Sequence, residues 1–293
     1  MGLCKALGRS ACWRRSGRAW RPGAGVVGPY NRSEPLRGTN VAVRWTQWLG
    51  FHSVASREPQ QASKTLTRER LGPPVTVKVK ICGVRTPAIL EATVAAGADF
   101  IGLVFFAKSP RNLSLGEASA LADAARERIG TVAVMVDPND SLIDQVAGTV
   151  RPDILQLHGQ ETPERVAVIK ARTGLRVMKA IAVAEPSDIA GADAYGGIAD
   201  EILFDAKASP DATLPGGNGV PFDWRALTAA RPPFVVSGGL NPDNVGEAIR
   251  LTGPALVDVS SGVETAPGMK DEKLVVRFIQ AAQSAAQQQA KAL

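Results

Sequence analysis

From Val75 onward, short apolar runs alternate with segments whose apolar positions recur every three or four residues, the signature of strands alternating with amphipathic helices. VTVKVKIC (75–82) reads as a strand, followed by TPAILEATVAAG (86–97), with Thr86 as N-cap, Pro87 at the first helical position and Gly97 as a stop. DFIGLVFF (99–106) is the next strand, and LSLGEASALADAARERIG (113–130) the next helix, with Ser114 and Glu117 spaced as a capping box. The pattern continues through the strands TVAVMVD (131–137), DILQLHG (153–159), LRVMKAIAV (175–183), EILFDAK (201–207), FVVSGG (234–239) and ALVDVSSG (255–262). A helical segment follows each: NDSLIDQVAGTV, TPERVAVIKARTG, a weaker Gly- and Ala-rich stretch, DWRALTAAR after a long Gly/Pro loop, NPDNVGEAIRLTG, and KDEKLVVRFIQAAQSAAQQQ. These are eight βα units whose strands are almost continuously apolar, as a parallel sheet covered by helices on its outer face requires. Eight units predict an α/β fold, a closed (β/α)8 TIM barrel over residues 75–293. An open doubly wound sheet would carry fewer strands and a Gly-rich loop after its first, whereas here the Gly pairs follow strands seven and eight.

Residues 1–74 read differently. They show no sustained period of 2 or 3.6, and they hold 13 of the 34 Lys and Arg against 3 of the 28 Asp and Glu. The formal charge of +6 therefore belongs to this front segment, because the remaining 219 residues hold 21 basic and 25 acidic side chains. Four of the five tryptophans, Trp13, Trp20, Trp45 and Trp48, also fall here, and aspartate is absent from it. The segment is expected to be a disordered basic extension of low structure, or sequence translated from too early a start. A transit peptide and a basic arm for nucleic acid are the alternatives. A secretory signal does not fit, since Arg pairs interrupt every candidate apolar stretch. No run approaches the ~20 uninterrupted apolar residues of a membrane-spanning helix. Three cysteines, Cys4, Cys12 and Cys82, form neither a disulfide framework nor metal-ligand spacing, which points to a reducing, cytoplasmic setting and to no metal.

In a barrel the C-terminal strand ends gather at one rim, so polar residues there become neighbours although they are far apart in sequence. Cys82 ends strand one, Arg111 follows strand two, His158 ends strand four and Asp205 ends strand six. Gly238, Gly239, Ser260, Ser261 and Gly262 follow strands seven and eight. Each has a duller reading: a buried Cys, a helix-capping Asp, a tight SGG turn. Their convergence on one rim favours chemistry. The N–H groups of Gly238–Gly239 and Ser261–Gly262, aimed outward from helix N-termini, suit a phosphate dianion. Arg111 offers a fork for a carboxylate. A thiolate and a carboxylic acid across a pocket make a base and acid pair for moving protons on a sugar-like substrate. His158 is open between ligand contact and a rim imidazole bonded to backbone.

KICGVRT (80–86), GLVFFAKSPRNLS (102–114), LQLHG (155–159), LFDAK (203–207), FDW (222–224), SGGLNPDNV (237–245) and DVSSGVETAPGMKD (258–271) resemble the phosphoribosylanthranilate isomerase family in order and without a missing block. The resemblance implies a (β/α)8 barrel acting on N-(5-phosphoribosyl)anthranilate, a small phosphosugar. It implies an Amadori rearrangement to the 1-deoxyribulose phosphate in tryptophan biosynthesis, and no cofactor. It also implies Cys82 as general base, Asp205 as general acid, Arg111 at the anthranilate carboxylate and the two Gly-rich loops at the phosphate. No nucleic acid or membrane partner is expected for the barrel, which is taken as a monomer or homodimer. Two other readings compete: a non-catalytic phosphate sensor, which would need neither Cys82 nor Asp205, and the related histidine-pathway isomerase, expected to use aspartates where Cys82 and Ala182–Val183 stand here.

Overall fold

The computed structural model describes residues 77–207, 223–231 and 233–292. The expected basic extension 1–74, Cys4 and Cys12, the first two residues of the first predicted strand, and the Gly/Pro loop with Phe222 lie outside the described residues.

Eight parallel strands close on themselves: β1 (Lys78–Cys82), β2 (Phe100–Phe105), β3 (Gly130–Met135), β4 (Ile154–Leu157), β5 (Arg176–Val183), β6 (Glu201–Ala206), β7 (Val235–Val236) and β8 (Leu256–Val259). Each pairs with its successor, and β8 returns to β1 with Lys80 opposite Asp258. Successive side chains point to opposite faces, so each strand carries an inward and an outward row. Cys82, Val104, Val132, Val134, Ile154, Met178, Ala180, Leu203, Val235 and Leu256 pack together inside the barrel, while Ile81, Leu103, Leu155, Val177 and Val257 belong to the larger core shared with the helices. Both rows are buried, which is why the strands read as unbroken apolar runs.

The helices start where their caps lie. Thr86 caps α1 (Pro87–Ala95), and Ser114 caps α2 (Leu115–Ala125), with the Glu117 N–H donating to Ser114 Oγ at 3.3 Å and the Ser114 N–H to Glu117 Oε2 at 2.8 Å. Asn139 caps the short α3 (Asp140–Gln145). Thr162 caps α4 (Pro163–Thr173), which Gly174 ends at φ 68°. α5 (Val245–Thr252) and the long α6 (Glu272–Ala292) complete the outer layer.

Four parts depart from the periodicity. After α3 the chain widens into a π-turn over Val146–Val150, ending at the left-handed Arg151. Single 3₁₀ segments, Pro186–Tyr195 and Trp224–Ala229, replace α-helices after β5 and before β7. The first, PSDIAGADAY, is rich in small residues, Gly and Asp and lacks the apolar stripe that would reward a full helix. Beyond β8 the predicted loop contains a small hairpin, β9 (Glu264–Ala266) and β10 (Met269–Lys270). Its turn needs Gly268, at φ 79°, because a Cβ there would sit 2.6 Å from the Pro110 carbonyl oxygen.

Aspartates just before β2, β4 and β6 tie the barrel floor. Asp99 accepts the Val79 N–H (2.8 Å), Asp153 that of Thr131 (2.7 Å) and Asp200 that of Val177 (2.8 Å), each joining the entry of one strand to the start of the preceding one. No described helix is long and apolar enough to cross a membrane.

Candidate active site

The mouth of the barrel is built by the last inward positions of the strands: Cys82 on β1, Asp205 on β6, Asp258 and Ser260 at the end of β8, and Gln156 and His158 at the end of β4. Cys82 and Asp205 lie on opposite arcs, with β7 and β8 between them along the shorter way round.

Cys82 is a buried free thiol. Lys80, two residues earlier on the same inward row, has its ammonium 2.9 Å from Asp258 Oδ1, and both side chains are sealed from solvent. Burial pulls the lysine pKa down, but the charges and hydrogen bonds of Asp258 and Cys82 outweigh it and hold the group above its ordinary value. For the thiol the balance goes the other way. Burial pushes Cys82 up, Asp258 adds to the rise, and the cations of Lys80, Lys270 and Arg111 offset only part of it. The three positive charges thus oppose a large desolvation cost.

Arg111 follows β2 and is buried at 5% exposure. Its stem packs on Gly83, where a Cβ would lie 2.7 Å from Arg111 Cδ. One edge of its guanidinium is engaged by Glu264, Nε to Oε1 at 2.8 Å and Nη2 to Oε2 at 2.7 Å. Lys270 Nζ lies 3.0 Å from the same carboxylate and donates to the Ser260 carbonyl at 3.2 Å. Burial pushes the Glu264 carboxyl up, but the Arg111 hydrogen bond and both cations hold it below the usual carboxylate range. This ion pair therefore contributes stability above the unfolded carboxyl pKa, about 4.3, and loses it as pH falls through the lowered folded value.

Asp205 Oδ1 accepts the Ala206 N–H at 2.9 Å, and Oδ2 stands 3.1 Å from His158 Nε2. His158 Nδ1 stands 3.0 Å from Gln156 Nε2. With the amide donating to Nδ1, the imidazole proton sits on Nε2 and points at Asp205. Of the two readings open for His158, ligand contact and a ring bonded to backbone, the second is not what the structure has: the ring is bonded to two side chains, while the main-chain N–H donates to the Met135 carbonyl. Gln156 Oε1 is buried without a partner among the described residues.

Gly238 and Gly239 turn the chain out of β7 at φ 84° and 65°. A Cβ on Gly238 would lie 2.4 Å from the Ala206 nitrogen, so the bend packs directly on the end of β6. These glycines precede α5 by several residues, which corrects the expectation that their N–H groups stand at a helix N-terminus. Ser261 and Gly262 do begin a helix, the single 3₁₀ turn Ser261–Val263, whose first N–H groups have no intrahelical acceptor. A Cβ on Gly262 would fall 1.9 Å from the Leu240 carbonyl oxygen, so the loops after β7 and β8 touch backbone to backbone. The Ser260 hydroxyl donates to the Cys82 carbonyl at 3.2 Å, joining β8 to β1.

Sequence reasoning found the strand-end residues and missed Lys80, Gln156, Asp258, Glu264 and Lys270. All five stand in the motifs quoted above, and the signal that could have found them was spacing by two along an inward row, for Lys80, Gln156 and Asp258, or position in the segment after β8, for Glu264 and Lys270. No cluster of His, Cys, Asp and Glu among the described residues is arranged to hold a metal.

A family model described as N-(5'-phosphoribosyl)anthranilate (PRA) isomerase matches residues 79–281. The curated N-(5'-phosphoribosyl)anthranilate isomerase of Parvibaculum lavamentivorans is 51% identical over 215 residues, which covers 72% of this chain and 100% of the relative. That of Rhodopseudomonas palustris strain HaA2 is 53% identical over 209 residues, 71% of this chain and 96% of the relative. Among solved structures, phosphoribosyl anthranilate isomerase from Thermotoga maritima superposes with TM-score 0.64 at 37% identity, covering 71% of this chain and 99% of that one. A structure in complex with reduced 1-(o-carboxyphenylamino)-1-deoxyribulose 5-phosphate superposes with TM-score 0.61 at 35% identity and the same coverage.

Proposed function

This chain belongs to the N-(5'-phosphoribosyl)anthranilate isomerase family, and we propose that Cys82 is the general base and Asp205 the general acid of the reaction it catalyses. That reaction is the Amadori rearrangement of N-(5-phosphoribosyl)anthranilate to 1-(2-carboxyphenylamino)-1-deoxyribulose 5-phosphate in tryptophan biosynthesis. Protonated Asp205 gives its proton to the furanose ring oxygen, the bond from that oxygen to C1′ breaks, and an iminium forms between C1′ and the anthranilate nitrogen. The Cys82 thiolate takes the proton from C2′, and the C2′–H electron pair neutralises the iminium as an enolamine. Tautomerisation moves a proton from the C2′ hydroxyl to C1′ and leaves the ketone, so the rearrangement is redox-neutral.

The observation that carries this assignment is the placement of two buried proton-transfer groups, a thiol and a carboxyl, at one barrel mouth. Cations face the thiol, while an imidazole N–H and a backbone N–H face the carboxyl. His158 acts through Asp205 as a positioning residue. The assay is the decay of anthranilate fluorescence as freshly formed substrate is consumed. Absence of turnover by the full chain would overturn the reading.

Arg111 is proposed to hold the anthranilate carboxylate while Glu264 fixes the plane of its guanidinium. Arg111→Ala is expected to raise KM about ten- to a hundredfold, the worth of a charged hydrogen bond. It should also lower the melting temperature, because removing one partner of a buried ion pair strands the other. Unchanged KM with a fall in kcat alone would contradict the assignment.

The loops after β7 and β8, carrying Gly238, Gly239, Ser260, Ser261 and Gly262, are proposed to hold the phosphate. Gly262→Ala drives a methyl group into the Leu240 carbonyl, so the two loops must separate, at an overpacking cost of about 1–3 kcal/mol. Weaker competition by inorganic phosphate, measured as a higher inhibition constant, is the expected result. An unchanged constant in a folded variant would remove these loops from the phosphate site.

We also place the enzyme in the cytoplasm, on the strength of a catalytic role for a reduced thiol, and as a monomer or homodimer. The Thermotoga maritima enzyme is described as dimeric.

A further inference from the structure

The geometry points to Lys80 as a positioning residue that lowers the cost of forming the Cys82 thiolate, its ammonium clamped by Asp258 beneath the sulfur. Lys80 and Cys82 stand at i and i+2 on β1, so both enter the barrel on the same row, one layer apart. The lysine is fully buried, and its Nζ is bonded to Asp258 at 2.9 Å. What gives both side chains room is the glycine opposite. Gly102 pairs with Cys82 across the β1–β2 ladder, and a Cβ there would lie 2.9 Å from Cys82 Sγ and 3.2 Å from Lys80 Nζ. Any larger residue would intrude on both groups.

A buried lysine with a carboxylate partner is costly to desolvate, and replacing such a pair with apolar residues is often neutral or stabilising. Fold stability alone does not account for it. A fixed ammonium under a sulfur that must become an anion does. The charged groups facing Cys82 are Lys80 from β1, Asp258 from β8, Lys270 from β10 and Arg111 from the loop after β2. Lys270 and Arg111 share Glu264, so their charge is largely directed to that carboxylate. Lys80 is the largest of the influences that favour the thiolate, and Asp258 keeps it charged and aimed. With 0% exposure its ammonium does not reach substrate.

The catalytic consequence rests on Cys82 being the base, whereas the test of Lys80 does not. In full-length protein labelled with carbon-13 cysteine, the Cys82 Cβ resonance, assigned by its loss in Cys82→Ser, is titrated with pH. Lys80→Met is expected to raise the thiol midpoint by about 1–3 pH units, the range for an opposite charge at contact distance. The double variant Lys80→Met/Asp258→Leu, which leaves no lone buried charge, should move it in the same direction and by less. It answers the question if the single variant fails to fold. An unmoved or lowered midpoint in either folded variant overturns the inference. The limb on which kcat/KM rises with pH should move with the resonance, while product-analogue binding stays put. A resonance that moves without that limb leaves Lys80 in its role and removes Cys82 from the chemistry.

Discussion

Cys82→Ser is expected to fold, to bind a product analogue as the parent does, and to turn over about 10²–10⁴-fold more slowly, the range lost when a positioned proton-transfer group is removed. Serine keeps the side-chain shape, so β1, Gly102 and the Lys80–Asp258 pair should stay in place. What changes is acidity. Burial already pushes the Cys82 thiol above its ordinary value despite three facing cations, and the same pocket would confront a serine hydroxyl whose anion is far harder to form. A raised thiol pKa makes the base scarcer at neutral pH and also stronger, since proton abstraction follows basicity. The sign for activity follows directly. The thiolate fraction grows with pH toward a midpoint above the ordinary thiol value of about 8.5, and this is the rising limb that Cys82 contributes to kcat/KM, multiplied by the falling limb of Asp205. In Cys82→Ser that limb should vanish. Steady-state kinetics over pH, with analogue binding as the control, decide the matter: a kcat close to the parent's means that another group takes the C2′ proton.

Asp205→Asn should be impaired to a similar degree, about 10²–10⁴-fold in kcat, because an amide has no carboxylic proton to give the ring oxygen. Its structural effect is expected to be small for a specific reason. The Asn oxygen can replace Oδ1 as acceptor of the Ala206 N–H, which puts the amide nitrogen where Oδ2 now faces His158 Nε2. Two donors would then meet. The clash is relieved if the imidazole moves its proton to Nδ1 and Gln156 turns its amide to present Oε1, the oxygen that lacks a partner now. The network has one alternative arrangement, and the substitution selects it. Nitrogen NMR of His158 should report the tautomer exchange, and the limb on which activity falls as the acid loses its proton to solvent should disappear. Parent-like kcat would mean the ring oxygen is protonated by something else.

Much of this barrel is readable along the chain because its determinants are local. Thr86, Ser114 and Thr162 mark helix starts through bonds to backbone three residues away, and Pro87, Pro163 and Gly174 reinforce the same boundaries. Strands buried on both faces show as apolar runs whatever their partners are, so eight strands can be counted without a single contact. The positions of Cys82 and Asp205 were readable by the same route, since the end of a strand is a local property and the fold gathers strand ends at one rim.

The groups that surround those two residues were decided only by tertiary structure. In VTVKVKIC, Lys78 and Lys80 look alike, both on the same alternating row. In the barrel Lys78 emerges at the open floor, over the ring of Phe100, while Lys80 is sealed beneath Cys82. Nothing local separates them. The difference arises when β8 closes on β1 and brings Asp258 across 178 residues to meet Lys80. Glu264 reaches Arg111 across 153 residues, through a hairpin that only Gly268 lets pack against Pro110. Composition and periodicity act over one or two turns of chain and so determined the elements and the ends of the strands. The field at each of those ends is set by which strands become neighbours, and by where the absence of a side chain, at Gly83, Gly102 and Gly262, lets charged and backbone groups come within contact of one another.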